Sequence, residues 1–238
     1  MLFRALVDII FPPLCHLCKT FIADAGDIHL CPGCREKIIP LDSPLCPVCG
    51  VPFATENGSD HRCGACRAHP PAYTAARAAV IFSGPVQELI HRFKYGHKVH
   101  LCRPLGLLTA RQLAVFAAEA AADLVMPVPL HKKRLRWRGY NLALLLAGSL
   151  AKQWRLPLVR QNLRRVRWTE PQINLAAGER ELNVRGAFAV SNRDAVAGKR
   201  IILVDDVFTT GSTVAECART LKRAGAEAVF IVTVARAV

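Results

Sequence analysis

The 238 residues predict an α/β domain, a mostly parallel sheet flanked by helices on both faces, preceded by a small cysteine-rich head. Three observations predict it. Eight of the ten cysteines lie before residue 67, all of them in C-x-x-C pairs. Beyond residue 70, short β-branched runs alternate with helix-length amphipathic runs, as strands joined by crossover helices do. Finally, the apolar run from Ile201 to Val204 meets two adjacent acids and a Thr-Thr-Gly-Ser-Thr string. In parallel sheets, ligands gather at such carboxyl ends of strands.

The head comes first. Composition changes near Pro70 to Tyr73 (PPAY), which divides residues 1–69 from residues 70–238. The opening MLFRALVDIIFPPLC has an apolar stretch broken by Asp8, runs into Pro12-Pro13 and lacks a small-residue cleavage site. It predicts a short amphipathic helix leading into the first cysteine pair rather than a secretion signal. No apolar run reaches the ~18 residues that suggest a membrane span. These features place the chain in the cytoplasm, where paired cysteines bind metal rather than form a disulfide scaffold.

The pairs are Cys15 with Cys18, Cys31 with Cys34, Cys46 with Cys49, and Cys63 with Cys66, separated by 12, 11 and 13 residues. Zinc takes four soft ligands in a tetrahedron, and each C-x-x-C turn offers two sulfurs. The gaps suit a short hairpin that returns one pair onto the next. The sequential arrangement groups Cys15, Cys18, Cys31 and Cys34 around one ion and Cys46, Cys49, Cys63 and Cys66 around another. An interleaved arrangement, with the first and third pairs sharing an ion, fits the same spacing. His16, His29, His61 and His69 lie nearby as potential replacement ligands. Four-thiolate sites leave no open position for chemistry, so both zinc ions are structural and fold a segment too small for a core of its own.

In the body, Ala78 to Phe82 reads as a strand and Val86 to Tyr95 as a helix. An alanine-rich helix covers Leu107 to Ala122, and Leu124 to Pro129 is a short strand ending in a proline turn. Tyr140 to Trp154 is a helix with a broad leucine face. Arg160 to Arg185 is polar and aperiodic, a long loop or hairpin. Ile201 to Val204 is a buried strand, Thr213 to Ala224 a helix stopped by Gly225, and Val229 to Val234 the last strand.

The string IILVDDVFTTGST, Ile201 to Thr213, carries the chemistry. Backbone N–H groups from Thr209 to Thr213, backed by a helix N-terminus and the hydroxyls of Thr209, Thr210, Ser212 and Thr213, make an anion cradle. Gly211 lets the backbone approach without a side chain between. Asp205 and Asp206 would repel a phosphate, so they serve sugar hydroxyls or a magnesium-bound ligand. The formal charge of +14 suits an anionic partner, and it falls to about +10 once eight thiolates and two divalent ions are counted.

This string resembles the signature of the type I phosphoribosyltransferases, with Phe208 bulkier than the usual aliphatic residue. With the cysteine pairs, the whole chain resembles the ComF family, competence-associated proteins with a zinc-ribbon head and a phosphoribosyltransferase-like body. FKYGHK at Phe93 to Lys98, MPVPLHKKRLRWRGYN at Met126 to Asn141, TEPQINL at Thr169 to Leu175 and ERELNVRGAF at Glu179 to Phe188 extend the likeness along most of the chain. Leu142 departs from the glutamine usual there. The resemblance implies a double zinc ribbon over residues 1–69 and a type I phosphoribosyltransferase-like domain over residues 70–238. It implies binding of phosphoribosyl diphosphate, with magnesium, or of a nucleotide-like phosphoribosyl product, and transfer of the phosphoribosyl group to an acceptor. Asp205 and Asp206 would be the catalytic acids on the ribose, Thr209 to Thr213 the 5′-phosphate loop, and Pro127 to His131 the diphosphate turn. Arg167 to Arg180, with Gln172, would form a hood. Lys132, Lys133, Arg134, Arg136, Arg138, Arg167 and Arg180 are candidate cations for the departing diphosphate, Arg138 and Arg180 foremost.

A second class of function fits the same charge. The run Lys132 to Arg138, containing Trp137, could neutralise and stack on single-stranded DNA, making the chain a DNA-handling accessory protein of transformation with a sensory or vestigial phosphoribosyl site, or the partner of a DNA-processing protein.

Overall fold

A computed structural model describes residues 12–23, 26–55, 58–169 and 182–238. Two single-turn helices, α1 (Pro32–Arg35) and α2 (Gly64–Ala68), belong to the cysteine-rich head. The body runs β1 (Ala75–Ile81), α3 (Gly84–Tyr95), α4 (Cys102–Gln112), α5 (Ala114–Ala120), β2 (Leu124–Pro127), α6 (Lys132–Arg138), α7 (Leu142–Trp154), β3 (Leu163–Arg165), β4 (Phe188–Val190), β5 (Arg200–Phe208), α8 (Ser212–Arg223) and β6 (Ala228–Arg236). The main sheet has the order β1-β6-β5-β2, with every neighbouring pair parallel. β3 and β4 pair antiparallel beside it, so the polar stretch before β5 is in part a hairpin. No helix of the described residues is long and apolar enough to cross a membrane.

Side chains alternate along β5, as a strand covered on both faces requires. Ile202 and Val204 join the core that holds Leu89, Phe93 and Leu146. Ile201 and Leu203 join the core that holds Cys217 and Leu221 of α8. The two cysteine-rich units divide between these cores. Cys15, Ile22 and Leu30 pack into the first; Cys46, Cys49 and Cys66 pack into the second.

Two expectations need correction. The alanine-rich helix is not continuous: Leu113, at φ −104° and ψ 21°, breaks it into α4 and α5. Leu113 is buried at the break, and Ala117 and Ala120 of α5 are buried beyond it. The acid pair does not follow the strand but lies within it, because β5 continues to Phe208 through its register with β6. β2 stops pairing at Val204. Residues 205–208 therefore project beyond their β2 neighbour, and a crevice opens at this step in the sheet.

Candidate functional site

The head offers two sets of four sulfurs, Cys15, Cys18, Cys31 and Cys34, and Cys46, Cys49, Cys63 and Cys66, each set lying within 4.8 Å. The grouping is sequential, not interleaved, and no histidine joins either set. Cys18 Sγ and Cys31 Sγ are 3.5 Å apart, Cys49 Sγ and Cys63 Sγ 3.7 Å. A tetrahedron with ~2.3 Å zinc–sulfur bonds has edges of about 3.8 Å, so both sets fit zinc. The Cys31 and Cys63 amides donate to Cys15 Sγ and Cys46 Sγ at 3.5 and 3.4 Å, hydrogen bonds that favour thiolate over thiol. Of the four histidines, His61 is turned away to stack on Phe53, with ring centroids 3.9 Å apart.

A cavity of about 390 Å³ fills the crevice at the end of β5. Asp205, Asp206, Thr209, Gly211, Ser212 and Thr213 line it, as do Val128, Pro129 and Leu130 of the turn after β2 and Arg138 of α6. Thr210 is exposed outside the lining, its hydroxyl 2.9 Å from Ser212 Oγ. Gln172 and Arg180 lie outside the described residues. Of the remaining candidate cations Arg134 reaches the lining; Lys132, Lys133, Arg136 and Arg167 do not. Arg167 instead donates from Nη2 to the carbonyls of Asn183 and Arg185 at 3.0 and 2.7 Å, tying together the two sides of the 160–185 segment.

The loop after β5 is built around Gly211. It has φ +77°, ends the turn and precedes the twelve-residue α8, whose N-terminus faces the cavity. A Cβ on Gly211 would stand 2.5 Å from Phe208 Cζ, so the residue must lack one for two separate reasons. Phe208, the departure noted from the sequence, is the buried floor of this loop.

Around the acids the electrostatics are uneven. Asp206 Oδ1 pairs with Lys94 Nζ at 2.7 Å, and the pair is largely shielded. Burial disfavours charge on Lys94, but Asp206 and then Asp205 more than compensate and hold its pKa above the usual lysine value. Asp205 accepts from the Asp206 amide at 2.9 Å, yet desolvation and the neighbouring carboxylate push its pKa up to about 7.

Sequence reasoning missed Lys94, Arg165 and Asn141. Lys94 lies in the FKYGHK string, where its link to an acid 112 residues away carries no local pattern. Arg165 lines the cavity from β3, its guanidinium 5.4 Å over the Phe188 ring and its Nε buried without a hydrogen-bond partner among the described residues. Arg138 has the same unmatched Nε, with its guanidinium 5.7 Å over Tyr95. Asn141 donates to the Val128 carbonyl at 3.0 Å while its Oδ1 accepts from Ala143 N, so one side chain caps α7 and fixes the turn after β2. Leu142, where a polar residue was in question, is buried.

Comparison with known proteins agrees with this architecture. The double zinc ribbon domain family matches residues 6–67 and the phosphoribosyl transferase domain family matches residues 139–237. The DNA utilization protein YhgH of Escherichia coli K12 is 34% identical over 225 residues, spanning 92% of this chain and 95% of that protein. Competence protein F of Haemophilus influenzae is 32% identical, covering 89% and 94%. Competence protein ComFC of Bacillus subtilis 168 is 28% identical, covering 84% and 80%. With relatives matched along nearly their whole length and both halves accounted for, the chain belongs to the ComF family of competence-associated proteins, a double zinc ribbon joined to a phosphoribosyltransferase-type domain.

Proposed function

We propose that residues 70–238 bind phosphoribosyl diphosphate, or a nucleotide-like phosphoribosyl product, in the β5 cavity and transfer the phosphoribosyl group to an acceptor. Residues 1–69 hold the two structural zinc ions, and the setting is cytoplasmic. The observation that carries this reading is the meeting, in one cavity, of the Gly211 loop at the α8 N-terminus with the carboxylates of Asp205 and Asp206. The loop offers main-chain donors and a positive helix end to a terminal phosphate. The acids offer acceptors to ribose hydroxyls.

In transfer, the bond from the anomeric carbon to diphosphate breaks, the electron pair leaves with pyrophosphate, and the acceptor bonds to that carbon. Arg134, Arg138 and Arg165 line the cavity and would stabilise the charge that gathers on the leaving group. Magnesium fits as a companion of the diphosphate, since among the described residues the carboxylates lining the cavity are Asp205 and Asp206 and the latter is already paired with Lys94. When bound, it would neutralise diphosphate oxygens.

Calorimetric titration of phosphoribosyl diphosphate with magnesium tests the reading, and Asp205→Asn sharpens it. Because the folded carboxyl has a raised pKa, near 7 against about 3.8 unfolded, its ionisation opposes folding. Stability linked to this group is complete below pH ~4 and is lost as pH rises through 7. Asp205→Asn is therefore expected to melt higher than wild type at pH 8, by a few degrees, with the advantage gone at pH 4. At the same time its ligand affinity falls about tenfold or more, since the stronger anionic acceptor is gone. Wild-type affinity that does not rise as Asp205 ionises, or a variant that binds equally well, would remove the acid from the site.

A second reading has its own observation. Trp137 is 73% exposed beside the cavity and Trp168 is 38% exposed, with Lys133 Nζ and Arg134 Cζ 5.9 and 5.6 Å from the Trp168 ring centroid. Exposed rings among cations form a stacking platform for single-stranded DNA. Trp137→Ala should weaken binding of a labelled oligodeoxythymidine about tenfold, in an equilibrium that itself weakens steeply with salt. Salt-insensitive binding, or none, would dismiss this reading.

A further inference from the structure

Arg236 is a buried cation without a carboxylate partner among the described residues, only 8% exposed at the end of β6. Such a charge needs compensation nearby. Its Nη1 donates to the Cys49 carbonyl at 2.7 Å, and its guanidinium lies 4.4 Å from the centre of the Phe208 ring. Nε is buried and has no hydrogen-bond partner among the described residues. The Cys49 contact sets Arg236 against the second zinc site, which is negative when filled because four thiolates around one divalent ion carry about −2.

Phe208 is the other end of the connection. It is register partner to Arg236, its carbonyl accepts from the Ala237 amide at 2.9 Å, and Tyr73 meets its ring edge-on at 6.3 Å. Its ring tip occupies the space beneath Gly211. The second cysteine knuckle is itself seated on the sheet: Ala76 N donates to Val48 O at 2.7 Å, and a Cβ on Gly50 would be 2.5 Å from Ala76 O. Arg77 also reaches this knuckle, donating to Pro47 O at 3.1 Å, but its guanidinium lies over Phe116 and away from the loop.

We propose that Arg236 is a positioning residue that couples the second zinc site to the loop at Thr209–Thr213, serving as counter-ion to the zinc–thiolate group and as the clamp that holds Phe208 beneath Gly211. Filling the second zinc site thereby orders the loop. Where the loop is taken to seat a phosphate, this rests on the function proposed above; the ordering itself does not.

Hydrogen exchange over residues 207–214 of the full zinc-loaded chain tests the ordering without a ligand. In Arg236→Gln the loop amides should exchange about tenfold faster, which corresponds to ~1.4 kcal/mol of lost closure. Arg236→Lys, which keeps charge but loses the planar stack, should restore part of the protection. Phe208→Leu, with Arg236 and all zinc ligands intact, serves if the arginine variants fail to fold. It should also speed loop exchange while two zinc ions per chain remain. Unchanged loop exchange in the folded variants overturns the coupling, and so does an equal increase in Cys18→Ser, which disturbs only the first site. Titration of ribose 5-phosphate then separates the two ideas. Weaker binding in Arg236→Gln than in wild type supports both, whereas a disordered loop in a protein whose wild type binds no ribose 5-phosphate sustains the coupling and defeats the phosphate reading.

Discussion

Replacing Gly211 with alanine should abolish most of the proposed phosphoribosyl binding while leaving both zinc ions in place. Two costs coincide at this position. A side chain at φ +77° carries left-handed strain of about 1–3 kcal/mol, and forcing extra volume into a packed spot typically adds about 1–3 kcal/mol. The added methyl would press on Phe208 Cζ at 2.5 Å and Cε1 at 2.9 Å. A flexible chain end could yield, but this ring is buried between Arg236 and Tyr73. The loop is the softer party, since Thr209 and Thr210 are exposed. It should move, taking its amides out of register with a phosphate. An affinity loss of about a hundredfold, or ~2.7 kcal/mol, is expected for ribose 5-phosphate by calorimetry. A change of less than about threefold would mean that the phosphate is seated elsewhere.

How much of this could be read from residues alone depends on how local the cause is. The Gly211 loop was legible because a turn residue, hydroxyls and a helix start are adjacent in sequence. The cysteine sets were legible because a knuckle needs two sulfurs three residues apart, yet the choice of sequential over interleaved pairing depends on how hairpins fold back. Lys94, Arg165 and Arg236 were invisible as site residues. Each acts on a partner made near only by the sheet: Lys94 on Asp206, Arg165 on the cavity through β3, Arg236 on Cys49, 187 residues away. The extent of β5 was misread for a similar reason. Acids do not favour a strand, but pairing with β6 carries the strand through Asp205 and Asp206 to Phe208. Arg167 had the composition of a phosphate ligand and the geometry of a clasp on its own segment.

Loss of one sulfur from the second zinc site should be the most destabilising single change in the chain. Cys46 is fully buried, accepts from the Cys63 amide, and shares a core with Tyr73, Phe208 and Val214. Structural zinc in small ribbons supplies ~10–16 kcal/mol to its fold, comparable with or above the whole stability of an ordinary domain at ~5–15 kcal/mol. Among the described residues of the head, α1 and α2 are single turns, and the buried apolar side chains besides the cysteines are Ile22, Leu30, Leu41 and Leu45. Cys46→Ser is therefore expected to lower zinc content from two ions per chain to one. The melting temperature should drop by ~10 °C or more, since each 1 kcal/mol is worth about 2–4 °C at this size. The damage should extend into the body, because Arg236 would keep a buried positive charge after its counter-charge had left, and that imbalance favours opening of the β6 end. Cys18→Ser gives the contrast: its sulfur is exposed and its site packs on the other core, so the melting point should fall less. Full zinc content with an unshifted melting point in Cys46→Ser would show that three ligands and water suffice there, whereas zinc loss with an unshifted melting point would show that the head does not depend on its metal for folding.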